Sequence, residues 1–357
     1  MDIAVIGPCG DVGRQIVQQI VVERLLQCEE RLVLIANPEG ASARSAYGLA
    51  ADLADAYSEI APKVEVVLDP RETHADLVVV AAGATPASSP DASPMTRDAL
   101  AARNAPMFHR HAEAIAGQGH GHEIVLCISN PNELAVAVFA EHLGRRRVIG
   151  IGAFLDSLRF RQEIATDLGV RRQRVHAFIA GEHGSNLVPL WSTVHVHGFD
   201  SEALSTELLR IRKGIDPSDF RDAVESAMRE IEALIGSGRI RDAYAAVERH
   251  APDVRVVIRP FITHYSGAKT VIGTARATME FLRTITLGSD ALVSGQIALD
   301  GEVYDIRGTV GVPFVVGNLG VDRVFELPLT EAERSQLCNC ATAIRAKTLP
   351  FLHEPPA

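Results

Sequence analysis

The 357-residue sequence predicts an α/β fold: a doubly wound parallel sheet followed by a mixed α+β domain. Three observations carry this. Short unbroken Val/Ile/Leu/Ala runs alternate with helix-like stretches over residues 1–150. A glycine-rich turn stands between the first such run and the first helical stretch. The second half then loses the alternation and mixes long helical stretches with alternating segments.

The expected strands of the first half are residues 3–7, 31–37, 64–68, 75–83, 123–130 and 147–152. Continuous apolar runs suit parallel strands buried on both faces. Helices are expected between them at 12–27, 41–57, 95–117 and 133–143. This gives a Rossmann-type dinucleotide-binding domain over 1–150 and a substrate domain over 151–357. In the second domain, 156–168 reads as helix, 175–180 and 192–196 as strands, and 217–235 as a polar helix. A long helix is expected at 266–287, and strands at 292–299 and 310–316. Thr330 and Glu333 have the spacing of a capping box that opens a final helix. Residues 84–94, rich in Pro, Ser and Ala, and the charged stretch 236–263 are expected to be irregular.

Composition narrows the function. The chain is 47% hydrophobic and 22% charged, as a globular enzyme should be. A net charge of −10 argues against nucleic acid as a partner, and a small anionic substrate would need local arginines. No basic leader precedes the apolar run at residues 3–6, and no stretch reaches the roughly 18 apolar residues of a membrane span. Cys9, Cys28, Cys127, Cys338 and Cys340 are scattered, which fits a reducing cytoplasm better than a disulfide framework. Cys338 and Cys340, two apart in a helical stretch, point to different faces, so no metal site is expected. His109, His111, His120, His122, His195 and His197 read as surface or loop residues without acidic partners at ligand spacing.

Gly7-Pro8-Cys9-Gly10-Asp11-Val12-Gly13 follows the first strand and opens a helix. In that context the glycines allow a tight turn and close approach to a pyrophosphate, and the helix N-terminus offers free N–H groups. The acid expected after the second strand is missing: Ile35 is followed by Ala36-Asn37. NAD is the expected cofactor, with NADP left open, since nothing at Ala36 repels a 2′-phosphate and Ser42 and Arg44 lie nearby in sequence.

The catalytic signal is Gly181-Glu182-His183-Gly184 downstream of Asp156-Ser157-Leu158-Arg159. Asp156 and Arg159, three apart, share one side of a helical turn. A histidine can exchange a proton with an alcohol, a carboxylate can fix its tautomer, and a guanidinium can grip a carboxylate substrate.

These motifs occur with Ala81-Ala82-Gly83, Met95-Thr96-Arg97-Asp98, Arg103-Asn104-Ala105, Ser129-Asn130-Pro131, Arg147-Val148-Ile149-Gly150 and Val310-Gly311-Val312-Pro313. In that order they resemble the lactate/malate dehydrogenase family over nearly the whole chain, with the glycine spacing of malate dehydrogenases. The resemblance implies an NAD(P)-dependent oxidoreductase of 2-hydroxy acids, malate-like, working as a homodimer or homotetramer. It implies that His183 is the proton donor and acceptor, Asp156 its orienting carboxylate, and Arg159 the grip on the substrate carboxylate. Arg97 would polarise the substrate carbonyl from a mobile loop, and Asn130 would contact substrate and nicotinamide. Gly7, Gly10, Asp11, Val12, Gly13, Asn37, Gly83, Asn104, Ser129 and Asn130 would line the cofactor.

Departures from the family pattern leave alternatives open. The stretch 84–94 is longer than usual and holds no Arg or Lys, although it contains Asp91. Malate dehydrogenases carry a second arginine there for the distal carboxylate. The alternative is therefore a 2-hydroxy acid lacking that group; a catalytically retired scaffold is a further one. Ser185 stands where the family commonly has Asp. Residues 236–265 look like an insertion, expected to be a solvated elaboration. A pocket hydroxyl is expected near 266–270.

Overall fold

In the computed structural model, which describes residues 1–85, 96–214, 219–265 and 269–352, the apolar runs of the first half become six parallel strands. These are β1 (Ile3–Ile6), β2 (Arg31–Ile35), β3 (Lys63–Val67), β4 (Leu77–Val80), β5 (Ile124–Cys127) and β6 (Val148–Gly150). They lie in the order 3-2-1-4-5-6, which places a topological switch point between β1 and β4. The crossovers are α1 (Asp11–Val22), α2 (Ser42–Ala56), α3 (Arg97–Gln118) and α4 (Asn132–Leu143). All four residues of β1 are buried. Ile3 and Val5 join a cluster with Ile16, Val17 and Ile20 of α1, while Ala4 and Ile6 join another with Phe108 and Ala112 of α3. Burial on both faces explains why this half reads as runs rather than as alternation.

The second half supplies α5 (Gly152–Asp167), β7 (Val175–Gly181), β8 (Leu187–Val196), α6 (Ser201–Ile211), α7 (Phe220–Gly236), α8 (Ile240–Val247), α9 (Pro252–Tyr265) and α10 (Val271–Thr286). They are followed by β9 (Ala291–Asp300), β10 (Arg307–Gly317), β11 (Gly320–Val324) and α11 (Glu331–Thr348). β6 pairs antiparallel with β9 through Gly150 and Gln296, and β10, β7 and β8 extend the same 11-stranded sheet. The capping box at Thr330 and Glu333 is formed. Among the described residues no helix is long and apolar enough to cross a membrane.

Several expectations are corrected. The stretch 236–263, read as irregular and solvated, holds α8 and α9. α9 is buried around almost its whole circumference, and Arg255 is 1% exposed. Its arginines and Asp253 read as a solvated face, and Pro260 within it reads as a breaker. The helix expected from 266 begins at Val271, with 266–268 outside the described residues. β8 starts at Leu187 rather than 192, while α6 and β11 had no sequence signal that was read. α5 begins at Gly152, taking the end of the strand expected at 147–152. Residues 86–94 of the stretch read as an irregular loop also lie outside the described residues.

His111 is a further correction. It is not a surface residue but 4% exposed on α3, with Nδ1 lacking a partner among the described residues. Burial, then the neighbouring Arg110, pushes its pKa from 6.5 down to about 4. The unfolded chain therefore takes up a proton that the folded chain refuses between those values. Stability falls as pH drops through this window, by about 3 kcal/mol at about 1.4 kcal/mol per unit. Thermal unfolding should show a flatter acid limb for His111→Leu than for the native chain. Superimposable limbs would contradict a buried neutral imidazole.

Candidate active site

The switch point opens a cleft of about 550 Å³ at the carboxyl ends of the parallel strands. Val12 of α1, Ala82 and Gly83 after β4, and Ser129 and Asn130 after β5 line one side. Asp156 and Arg159 of α5, with His183 after β7, line another.

The glycine turn fits a dinucleotide sterically. A Cβ on Gly13 would lie 2.1 Å from the Gly7 carbonyl oxygen, so a side chain there would break the turn. Gly10 stands at the N-cap of α1 and offers no side-chain cap, leaving the first-turn N–H groups to an incoming anion. The Asp11 carboxylate is ion-paired with Lys269 at 2.6 Å, tying the turn to the approach of α10. Asn37 sits at the exposed end of β2, outside the cleft, where its N–H donates to Ser42 Oγ at 3.3 Å. Asn104, 2% exposed, lies behind the wall. Its Nδ2 donates to the Asn130 carbonyl at 2.7 Å and its Oδ1 accepts the Ala84 N–H at 2.7 Å, fastening two cleft loops together. Ser129 Oγ bonds to the Val80 and Ala82 carbonyls, at 3.0 and 2.5 Å, so its hydroxyl holds the loop after β4.

The predicted catalytic constellation is assembled. His183 Nδ1 lies 2.8 Å from Asp156 Oδ2, leaving Nε2 as the ring nitrogen for the cleft. Arg159 Nη1 donates to Asp156 Oδ1 at 2.9 Å, and its other N–H groups have no acceptor among the described residues. Burial pushes the Asp156 carboxyl up, but His183, Arg159 and the Gly184 N–H outweigh it and hold it below its ordinary value. Gly184 has φ +105°, so the turn favours glycine, and a Cβ there would meet Arg97 Nη2 at 2.6 Å and displace the guanidinium from its present place.

Arg97 opens α3 and lines the cleft, but its guanidinium is engaged. Nη1 donates to the Glu182 carboxylate and Nη2 to the His183 carbonyl at 2.5 Å. Sequence reading missed three supporting residues. Buried Glu133 accepts the His183 N–H at 2.7 Å, and Gln296 Nε2 reaches the same oxygen at 3.2 Å. Burial raises the Glu133 pKa. Glu182 anchors Arg97. A glutamine inside an apolar strand run was the available signal for Gln296. Ser185 also lines the cleft.

Outside the cleft, His109 is not without an acidic partner. Glu113 lies one turn along α3, and with His142 of α4 the three bring ligand atoms within 4.8 Å of one another. His109 Nε2 also bonds to the Phe351 carbonyl at 2.8 Å.

The sequence model of the lactate/malate dehydrogenase NAD-binding domain matches residues 1–150, and that of the family's alpha/beta C-terminal domain matches 153–251 and 261–353. L-lactate dehydrogenase 1 of Enterococcus faecalis is 30% identical over 302 residues, 84% of this chain and 80% of that protein. A malate dehydrogenase of Hydrogenobaculum is 28% identical over 265 residues, 72% of this chain and 67% of that one. A solved lactate dehydrogenase of Cryptosporidium parvum, complexed with lactic acid and nicotinamide adenine dinucleotide, has the same fold. Its TM-score is 0.74 at 24% identity, over 99% of this chain and 98% of that one. The chain belongs to the lactate/malate dehydrogenase family of oxidoreductases, and its residues 1–150 are an NAD-binding domain.

Proposed function

We propose that this protein interconverts a 2-hydroxy acid and its 2-oxo acid with NAD, and that Asp156, His183 and Arg159 carry the chemistry. The observation behind this reading is the Asp156–His183 contact of 2.8 Å beside a guanidinium whose other donors have no acceptor among the described residues, in the cleft that the glycine turn adjoins. Residues 1–150 hold the dinucleotide and 151–357 the substrate. NAD, when bound, supplies the hydride acceptor for the alcohol carbon. Gly7, Gly10, Val12 and Gly13 would hold its pyrophosphate, with Gly83, Ser129 and Asn130 along the nicotinamide half and Asn37 toward the ribose.

Arg159 binds the substrate carboxylate through a two-pronged contact and thereby sets the hydroxyl near His183. His183 Nε2 accepts the hydroxyl proton in oxidation and returns it in reduction. Asp156 keeps the proton on Nδ1 and stabilises the imidazolium that forms. Arg97, once released from Glu182 and the His183 carbonyl, polarises the substrate oxygen. Asn104 and Glu133 act as positioning residues, through the Asn130 loop and the His183 backbone.

Malate and oxaloacetate are the pair that the malate dehydrogenases among the relatives favour. An acid without a distal carboxylate is favoured by the absence of Arg and Lys from residues 84–94. The test is the loss of near-ultraviolet nicotinamide absorbance when NADH or NADPH is offered separately with a range of 2-oxo acids. Turnover with NADH is expected. Turnover with NADPH alone would overturn the cofactor assignment, and none with either would overturn the reading.

A further inference from the structure

One wall of the cleft is built by elements that carry none of the chemistry. Met228 of α7 and Val256, Val257, Pro260 and Phe261 of α9 line it. Three of these five lie within residues 252–260, the stretch that the family's C-terminal sequence model leaves unmatched. That part of the wall departs from the family's sequence pattern, while Met228 and Phe261 lie in matched stretches.

α9 is held rigidly against α5, the helix of Asp156 and Arg159. Arg255 reaches Glu163 at 2.7 Å and Asp167 at 2.8 Å, and Arg259 Nε reaches Glu163 at 2.7 Å. Asp253, at the start of α9, accepts the Trp191 indole N–H at 2.9 Å. Arg159 and Pro260 also share the lining of a small side cavity of about 130 Å³, which puts α9 beside the guanidinium assigned to the substrate carboxylate.

The charges around the cleft are already committed. Among the described lining residues the permanent cations are Arg97, Arg159 and Lys269. Arg97 is on Glu182, Lys269 on Asp11, and Arg159 is the grip for the first carboxylate. Arg255 and Arg259 are turned to Glu163, Asp167 and Glu248. His264 is the remaining titratable side chain that α9 gives to the cleft. A second substrate carboxylate against this wall would lose water and, among the described lining residues, find no uncommitted permanent cation, whereas an apolar tail would gain by burial.

We propose that α9 and Met228 form a side-chain pocket for an apolar tail, so that the substrate is a 2-oxo acid carrying a branched aliphatic or aromatic group. This rests on the dehydrogenase reading above. The test is kcat/KM with NADH for oxaloacetate, pyruvate, phenylpyruvate and the 2-oxo acid of leucine. Measurements use the native chain, Val257→Arg and Phe261→Ala, with thermal unfolding and NADH binding confirming that each is folded. The native chain should favour the two apolar acids over oxaloacetate by about 100-fold, the scale on which pockets discriminate tails by a methylene or two. Val257→Arg should lower that ratio at least tenfold, and Phe261→Ala should lower it for phenylpyruvate if the arginine variant does not fold. A native preference for oxaloacetate or pyruvate, or a ratio unmoved in every folded variant, would overturn the pocket while leaving the dehydrogenase standing. Absence of turnover with all four acids would overturn the dehydrogenase reading, and the pocket with it.

Discussion

Replacing His183 with asparagine is expected to lower kcat by roughly a thousandfold, within the range that a positioned acid–base group contributes. Asparagine can hydrogen-bond but cannot carry a proton between substrate and solvent at neutral pH. NADH affinity should be unchanged, because the glycine turn lies on other elements and none of its contacts passes through the imidazole. The variant also leaves Asp156 Oδ2 without its ring partner, although Arg159 and the Gly184 N–H remain on the carboxylate. Fluorescence titration with NADH, paired with steady-state turnover, separates the two effects. Retained turnover would remove His183 from the mechanism. Lost turnover together with lost NADH binding would point to a collapsed site.

The second large effect is expected at Arg159. Lysine there keeps the charge but loses the planar fork, and its ammonium cannot bond Asp156 and a substrate carboxylate in the same geometry. Burial already pushes the Arg159 pKa down, so a lysine in this environment would also be inclined to shed its proton. A hydrogen bond to a charged group is worth about 1.5–3 kcal/mol, so KM for the oxo acid should rise roughly 10- to 100-fold. The rise should be similar for every 2-oxo acid, because all share the carboxylate next to the carbonyl. This separates Arg159 from Val257, whose replacement should act on the tail and change the ranking of substrates. An unchanged KM in Arg159→Lys would mean that the carboxylate is held elsewhere.

What could be read from the sequence was local. Gly7–Gly13 lies within one turn, and Asp156 and Arg159 lie within one turn of α5, so spacing alone conveys their joint geometry. His183 needed only its flanking glycines and a partner pair upstream. The parallel strands were legible because burial on both faces leaves an unbroken apolar run.

What escaped was made by contacts distant in sequence. Gln296 and Glu133 meet behind His183 across 163 positions, and nothing in either neighbourhood announces the other. Arg97 and Glu182 are 85 positions apart. α9 was hidden for a different reason. Its arginines and Asp253 mimic a solvated surface, yet Arg255 is paired with Glu163 and Asp167, Arg259 with Glu163 and Glu248, and Asp253 accepts the Trp191 indole N–H. Sequence periodicity records polarity, and here polarity and exposure part company. His111 erred in the same direction: a polar residue on α3 that sits in the core without charge. The consequence for function is concrete, since the misread helix supplies the wall that we assign to the substrate tail.

The most direct test of the central claim is to supply NADH deuterated at the transferable position of the nicotinamide, with a 2-oxo acid that turns over, and to locate the label by mass spectrometry and NMR. The deuterium should appear on the carbon that bore the carbonyl, in a single configuration of the 2-hydroxy acid, and His183→Asn should form this product at a rate at least a hundredfold lower. Product without label at that carbon, or label transferred equally fast by His183→Asn, would contradict the claim.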